Sequence, residues 1–252
     1  MSRILAANWK MNLDLAQARA LYASSSEAKA IYPDLTFLVF PPATALTTLR
    51  DARGRTGPSL GGQNCHTEPK GAFTGEVSAE QLRDAGAEYV LVGHSERRRL
   101  FCESDTLARA KLGAAWRAGL TPLLCIGETL AERERQETQS VISRQLARAL
   151  EGAPARATLL VAYEPVWAIG TGVVATTEQV AEAHGWVGEE LKRLGRNATP
   201  VLYGGSVDPK SAAPLAALKE VDGFLVGGAS LDAPSFLAIA KSLAGAVEPA
   251  RD

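Results

Sequence analysis

The chain has 252 residues, 46% of them hydrophobic and 22% charged, and carries a formal net charge of -1. At that length roughly three quarters of the unfolded surface can be buried, so a core needs no disulfide or metal to hold it. So even a charge balance argues against nucleic acid or a membrane as partner, although a local phosphate site built from backbone N–H groups stays open.

Arg3–Trp9 reads as the first strand. Its Ile4-Leu5-Ala6-Ala7 run is cut short by Asn8 and Lys10, which is too brief for a signal-peptide core. Asp14–Ile31 follows as an amphipathic helix with Leu15, Ala18 and Leu21 on one side. Strands are then predicted over Thr36–Phe40, Ser59–Asn64, Tyr89–Gly93 and Thr121–Ile126. Thr129–Leu150, rich in Glu, Arg and Gln, reads as one helix. Strand Thr158–Tyr163 precedes a helix over Thr176–Leu194, and strands Thr199–Gly204 and Gly223–Gly227 end the series. Runs such as Val90-Leu91-Val92 and Leu123-Leu124-Cys125-Ile126 lack alternation, as strands covered by helices on one side and core on the other do. Pro33, Pro122, Pro154 and Pro200 fall at or beside element boundaries. No Ser/Gly linker divides the chain, and no apolar run approaches membrane-spanning length.

Eight strand–helix units in this length predict an α/β fold of one domain over residues 1–252, a closed (β/α)8 barrel. The rival open sheet should carry a glycine fingerprint after its first strand, and Asn8-Trp9-Lys10-Met11-Asn12 has no glycine. The three cysteines, Cys65, Cys102 and Cys125, fit neither a disulfide framework nor a zinc site. They point to a reducing, cytoplasmic compartment.

Polar residues gather at the strand ends, which a closed parallel barrel brings to one mouth. Asn8 and Lys10 follow the first strand and, two residues apart, should share a face. His94, Ser95 and Glu96 follow the fourth, where Ser95 could cap a helix. Glu128 follows the fifth, Glu164 the sixth, Ser206 the seventh, and Gly227 and Gly228 the eighth. Glu164, set between apolar segments, is a candidate general base whose proton affinity partial burial would raise. A structural ion pair explains such a carboxylate equally well. His94 could polarise a carbonyl, and Lys10 could neutralise phosphate or a developing oxyanion. The turns Gly170-Thr171-Gly172, Gly204-Gly205-Ser206 and Gly227-Gly228 let N–H groups approach a phosphate closely, though each alone is compatible with an ordinary turn.

Six collinear motifs go further. They are Ala7-Asn8-Trp9-Lys10-Met11-Asn12, Gly93-His94-Ser95-Glu96-Arg97-Arg98, Cys125-Ile126-Gly127-Glu128-Thr129-Leu130, the run from Ala162 to Gly172, Tyr203-Gly204-Gly205-Ser206-Val207 and Val226-Gly227-Gly228-Ala229-Ser230-Leu231. Together they resemble the triosephosphate isomerase family over essentially the whole chain. The resemblance implies a TIM barrel that interconverts dihydroxyacetone phosphate and D-glyceraldehyde 3-phosphate through an enediolate, a step of glycolysis and gluconeogenesis. It implies Glu164 as base, His94 as a neutral proton relay, Lys10 and Asn8 as charge and positioning groups, and Glu96 in support behind them. Gly170, Ser206, Gly227 and Gly228 would hold the phosphate, Pro165–Gly172 would be a lid, and no cofactor or metal is called for. The long loop Cys65–Ser78, with Phe73 between Gly71 and Gly75, is expected to project into a second copy and form a homodimer. Cys102 and Gln136 stand where the family usually has glycine. The rival readings are a Schiff-base aldolase, which needs a desolvated lysine at a strand end, and a barrel that binds phosphate without turnover.

Overall fold

The computed structural model describes residues 2–54, 56–170 and 173–246. Eight parallel strands close on themselves in chain order. They are β1 (Ile4–Asn8), β2 (Thr36–Phe40), β3 (Ser59–Gly62), β4 (Tyr89–Val92), β5 (Thr121–Ile126), β6 (Leu160–Tyr163), β7 (Val201–Tyr203) and β8 (Gly223–Val226). β8 pairs with β1 through Ile4↔Gly223 to Ala7↔Val226, so no edge is left open. Several strands are one to three residues shorter than predicted, because pairing stops where the chain turns out toward the mouth or enters through Pro200.

The missing alternation has its cause in two cores. Ile4, Ala6, Leu38, Phe40, Leu91, Leu123, Leu160, Ala162, Leu202 and Leu225 fill the barrel interior. Their neighbours along the strands, such as Leu5, Ala7, Phe37, Val39, Leu124 and Val161, face the helices. Phe40 needs a small neighbour on the adjacent β3: a Cβ on Gly61 would lie 2.3 Å from its ring.

The helices are α1 (Leu15–Ile31), α2 (Leu46–Ala52), α3 (Ala79–Asp84), α4 (Ser95–Leu100), α5 (Asp105–Arg117), α6 (Leu130–Glu134), α7 (Thr138–Ala149), α8 (Thr177–Arg193), α9 (Ala212–Ala216) and α10 (Ala233–Gly245). Asp14 and Thr176 cap α1 and α8 with capping boxes closed by Gln17 and Gln179. In α1, Ala18 and Leu21 are buried as expected, but Leu15 is 49% exposed in the first turn. The helix expected over Thr129–Leu150 is two helices. Gln136 adopts φ +58 and ends the first, since one left-handed residue cannot continue an α-helix. Cys102 adopts φ +54. Both departures from glycine therefore keep a glycine-like backbone.

Candidate active site

The carboxyl ends of the strands surround a cavity of about 430 Å3 lined by Asn8, Lys10, His94, Glu164, Gly170, Ser206, Gly227 and Gly228. Glu96 stands behind them: its Oε1 lies 2.6 Å from the Lys10 ammonium.

Glu164 is 1% exposed. Its Oε2 accepts from the Ser95 N–H at 2.8 Å, and its Oε1 lies 3.1 Å from His94 Nε2. Gly127 and Gly204 make room for it, since a Cβ on Gly127 would meet Glu164 O at 1.8 Å and one on Gly204 would meet its Cγ at 2.9 Å. Below, Cys125 keeps its thiol proton, because burial and then the Glu164 charge push it well above the ordinary range.

His94, not Ser95, is the N-cap of α4: its Nδ1 accepts from the Glu96 N–H at 3.2 Å. An acceptor nitrogen carries no proton, so the ring's hydrogen sits on Nε2, facing Glu164 and the cavity. Lys10 also departs from expectation. Its φ of +51 takes it off the strand, so alternation with Asn8 does not set its direction. The backbone is held there by Lys10 N–H on Asn8 Oδ1 at 3.0 Å and by Gln63 Nε2, which donates to Lys10 O at 2.8 Å and Phe40 O at 2.9 Å. Burial opposes ionisation of Glu96, but the Lys10 bond and charge, with Arg99, hold its carboxyl below the usual range.

On the far wall the amide N–H groups of Gly170, Gly205, Ser206 and Gly228 have no hydrogen-bond acceptor among the described residues. Gly228–Leu231 is a 3-10 turn that begins at this wall. Unused N–H groups converging beside one ammonium suit a dianion such as phosphate. Among the described residues no cluster of His, Cys, Asp and Glu has the make-up of a metal site.

The segment after β6 starts with a 3-10 turn, Val166–Ala168. Ala168 O accepts from Ser206 Oγ at 2.6 Å. Glu128, fully buried, accepts from Trp167 Nε1 at 2.8 Å and Tyr163 OH at 3.0 Å, and lies 3.2 Å from Arg133. It anchors the root of this segment and does not line the cavity. Thr171 and Gly172, the end of the expected lid, lie outside the described residues.

The chain matches the family model described as Triosephosphate isomerase over residues 3–243. It is 48% identical to the triosephosphate isomerase of Xanthobacter autotrophicus over 246 residues, covering 95% of this chain and 96% of that one. The triosephosphate isomerase of Bdellovibrio bacteriovorus is 48% identical over 241 residues, with 95% and 99% covered. The chain belongs to the triosephosphate isomerase family. Among solved structures, the triosephosphate isomerase of Bartonella henselae superposes with a TM-score of 0.85 at 42% identity, covering 96% of this chain and 99% of that one. The aldolase and inactive-barrel readings are not favoured: a triosephosphate isomerase relationship over nearly the full length makes the chain an isomerase of triose phosphates.

Sequence reasoning missed two groups that this triosephosphate isomerase fold brings to the site. Gln63 just beyond β3 obeys the same rule, a polar residue past a strand end, that singled out Asn8 and Glu164. The Ser95 N–H, which bonds Glu164, is a backbone group and leaves no trace in residue type.

Proposed function

We propose that this chain interconverts dihydroxyacetone phosphate and D-glyceraldehyde 3-phosphate with Glu164 as the base, in one catalytic domain over residues 1–252. The observation that carries the reading is the pairing of a buried carboxylate with an imidazole whose Nε2 holds the proton, both facing a cavity lined by N–H groups. Glu164 takes a proton from the carbon beside the carbonyl and returns it to the neighbouring carbon. His94 Nε2–H donates to the carbonyl oxygen as it gains charge, and the proton passes to the other oxygen of the enediolate. Lys10 neutralises charge on oxyanion and phosphate, Asn8 orients the substrate, and Glu96 holds the ammonium. Gly170, Ser206, Gly227 and Gly228 bind the phosphate by main-chain groups. Residues Pro165–Gly172 close over the enediolate and keep water out, which suppresses loss of phosphate. The step belongs to glycolysis and gluconeogenesis in the cytoplasm, as three free cysteines suit.

A coupled isomerisation assay on Glu164→Gln is the test. Turnover falls by orders of magnitude while a phosphorylated inhibitor still binds; a near wild-type rate would remove Glu164 from the role.

The same reading includes a homodimer. Residues 68–76 are exposed throughout, and Phe73 stacks on His66 of its own loop at 4.1 Å, not on the barrel. Met11, on the turn after β1, and Leu100 and Phe101, at the C-terminal end of α4, are 94%, 62% and 63% exposed. Large apolar side chains left exposed favour a covered face. Light scattering on the active protein should give twice 26.6 kDa. A fully active species at the single-chain mass would exclude the dimer.

A further inference from the structure

The barrel has a second concavity at its opposite mouth. Tyr89 opens β4, Thr121 opens β5, Leu160 opens β6 and Pro200 precedes β7, and with residues 155–159 and 195–199 they enclose about 430 Å3. The rise along the strands places it roughly 15–20 Å from the catalytic mouth.

Arg196 lines this concavity and is 9% exposed. Its Nη1 donates to Ala157 O at 3.0 Å and its Nη2 to Pro154 O at 2.6 Å. Its guanidinium lies 5.9 Å from the Trp116 ring centroid. These bonds engage only part of the guanidinium's donor set. Among the described residues no carboxylate pairs with it, and burial lowers its proton affinity with no acidic neighbour to offset the loss. The other buried lysine or arginine among the described residues is treated differently: Lys111, at 4% exposure, sits 2.5 Å from Glu103. Arg156 lines the same concavity, is exposed, and makes no hydrogen bond or ion pair among the described residues. Two arginines thus line one hollow whose wall holds no acidic residue.

A buried cation without counter-charge is costly, and a diffusible anion is the partner the fold withholds. The hollow also offers the Thr121 and Thr158 hydroxyls, 3.3 Å apart, and an apolar wall of Tyr89, Leu159 and Pro200. We propose that this hollow binds a small organic anion, its carboxylate or phosphate head held by Arg156 and Arg196 and its carbon skeleton laid on the apolar wall. The guanidinium fork matches either head group by paired N–H···O bonds. The site is separate from the reaction and does not depend on its mechanism. Because the ligand ties the entry ends of four strands to two loops, it stabilises the native state by linkage.

The test is residue-specific. Amide spectra of the full chain are titrated separately with succinate and with inorganic phosphate. Saturable shifts are expected at residues 155–159 and 195–199 with at least one of them, and which one responds names the head group. Replacing Arg156 by Ala removes an exposed, unbonded side chain, so it leaves the fold intact and weakens the apparent affinity by about tenfold or more, as loss of charge-assisted bonds does. Shifts confined to Ser206 and Gly228, no saturation at residues 155–159 and 195–199 with either anion, or an Arg156→Ala protein that titrates like the parent would each overturn the site.

Discussion

A single methyl group at Gly204 tests whether the placement of Glu164 controls turnover. Gly204 N–H donates to Tyr163 O at 2.8 Å, so its backbone is fixed beside β6. In Gly204→Ala the new Cβ would stand 2.9 Å from Glu164 Cγ and 3.3 Å from Tyr163 O. Carbon atoms pack at ~3.5 Å or more, so relief of the 2.9 Å contact requires Glu164 to move by about 0.6 Å, the difference of the two. The Glu164 backbone cannot yield, because its N–H is bonded to Ile126 O at 2.7 Å and its carbonyl is packed on Gly127. The side chain moves instead, and its carboxylate leaves the position set by His94 Nε2 and the Ser95 N–H. Displacements approaching an ångström cost up to ~10²-fold in rate, so kcat should fall roughly 10- to 100-fold. Overpacking should also cost about 1–3 kcal/mol of stability. The assay is the coupled isomerisation rate, with urea unfolding alongside. Gly188→Ala, on α8 with open space around it, is the control and keeps its kcat. A wild-type kcat for Gly204→Ala, or an effect on KM alone, would refute the placement.

Three further outcomes follow from the same fold. His184 is buried, its Nδ1 lies 3.0 Å from Glu220 O, and burial pulls its pKa from 6.5 to about 4 despite that bond. The unfolded chain then binds the proton first, so stability present above pH 6.5 is lost as pH falls to about 4, by at most roughly 3 kcal/mol; a His184→Gln protein should show a flatter urea midpoint over that window, and equal slopes would remove His184 as the cause. Gln136→Gly relieves a left-handed backbone at an exposed site and should raise stability by up to about 1 kcal/mol without changing turnover, the strain relieved exceeding the extra entropy of glycine; a loss of stability would assign the side chain a role of its own. Trp167→Phe removes one donor from the buried Glu128 and should loosen the first turn of the lid, read as more phosphate elimination per isomerisation; an unchanged product ratio would separate Trp167 from lid control.

The barrel was legible because burial leaves a mark in residue type: a strand with one face in the barrel interior and the other under helices cannot alternate, and Val90–Val92 and Leu123–Ile126 do not. The site was legible for the same reason in reverse, as Asn8, His94 and Glu164 are polar residues that follow apolar runs. What stayed hidden is backbone conformation. Nothing in the residue types Lys10, Cys102 or Gln136 announces a positive φ, and the single helix read over Thr129–Leu150 failed at Gln136 for that reason. Serine is a common capping residue, so Ser95 reads as a possible cap of α4, whereas the imidazole of His94 takes the bond.

That imidazole cap ties two properties that are usually independent. The bond from Glu96 N–H to His94 Nδ1 both starts α4 and fixes which ring nitrogen is bare. The tautomer of the ring is therefore decided by secondary structure, and it is available only while the first turn of α4 is wound. Asparagine or aspartate at this position would keep the helix and forfeit the relay. Conversely, a change elsewhere that frays Ser95–Arg97 would withdraw the Glu96 N–H and leave the tautomer of the ring unset. Damage to α4 would then surface as lost turnover with Glu164 still in place.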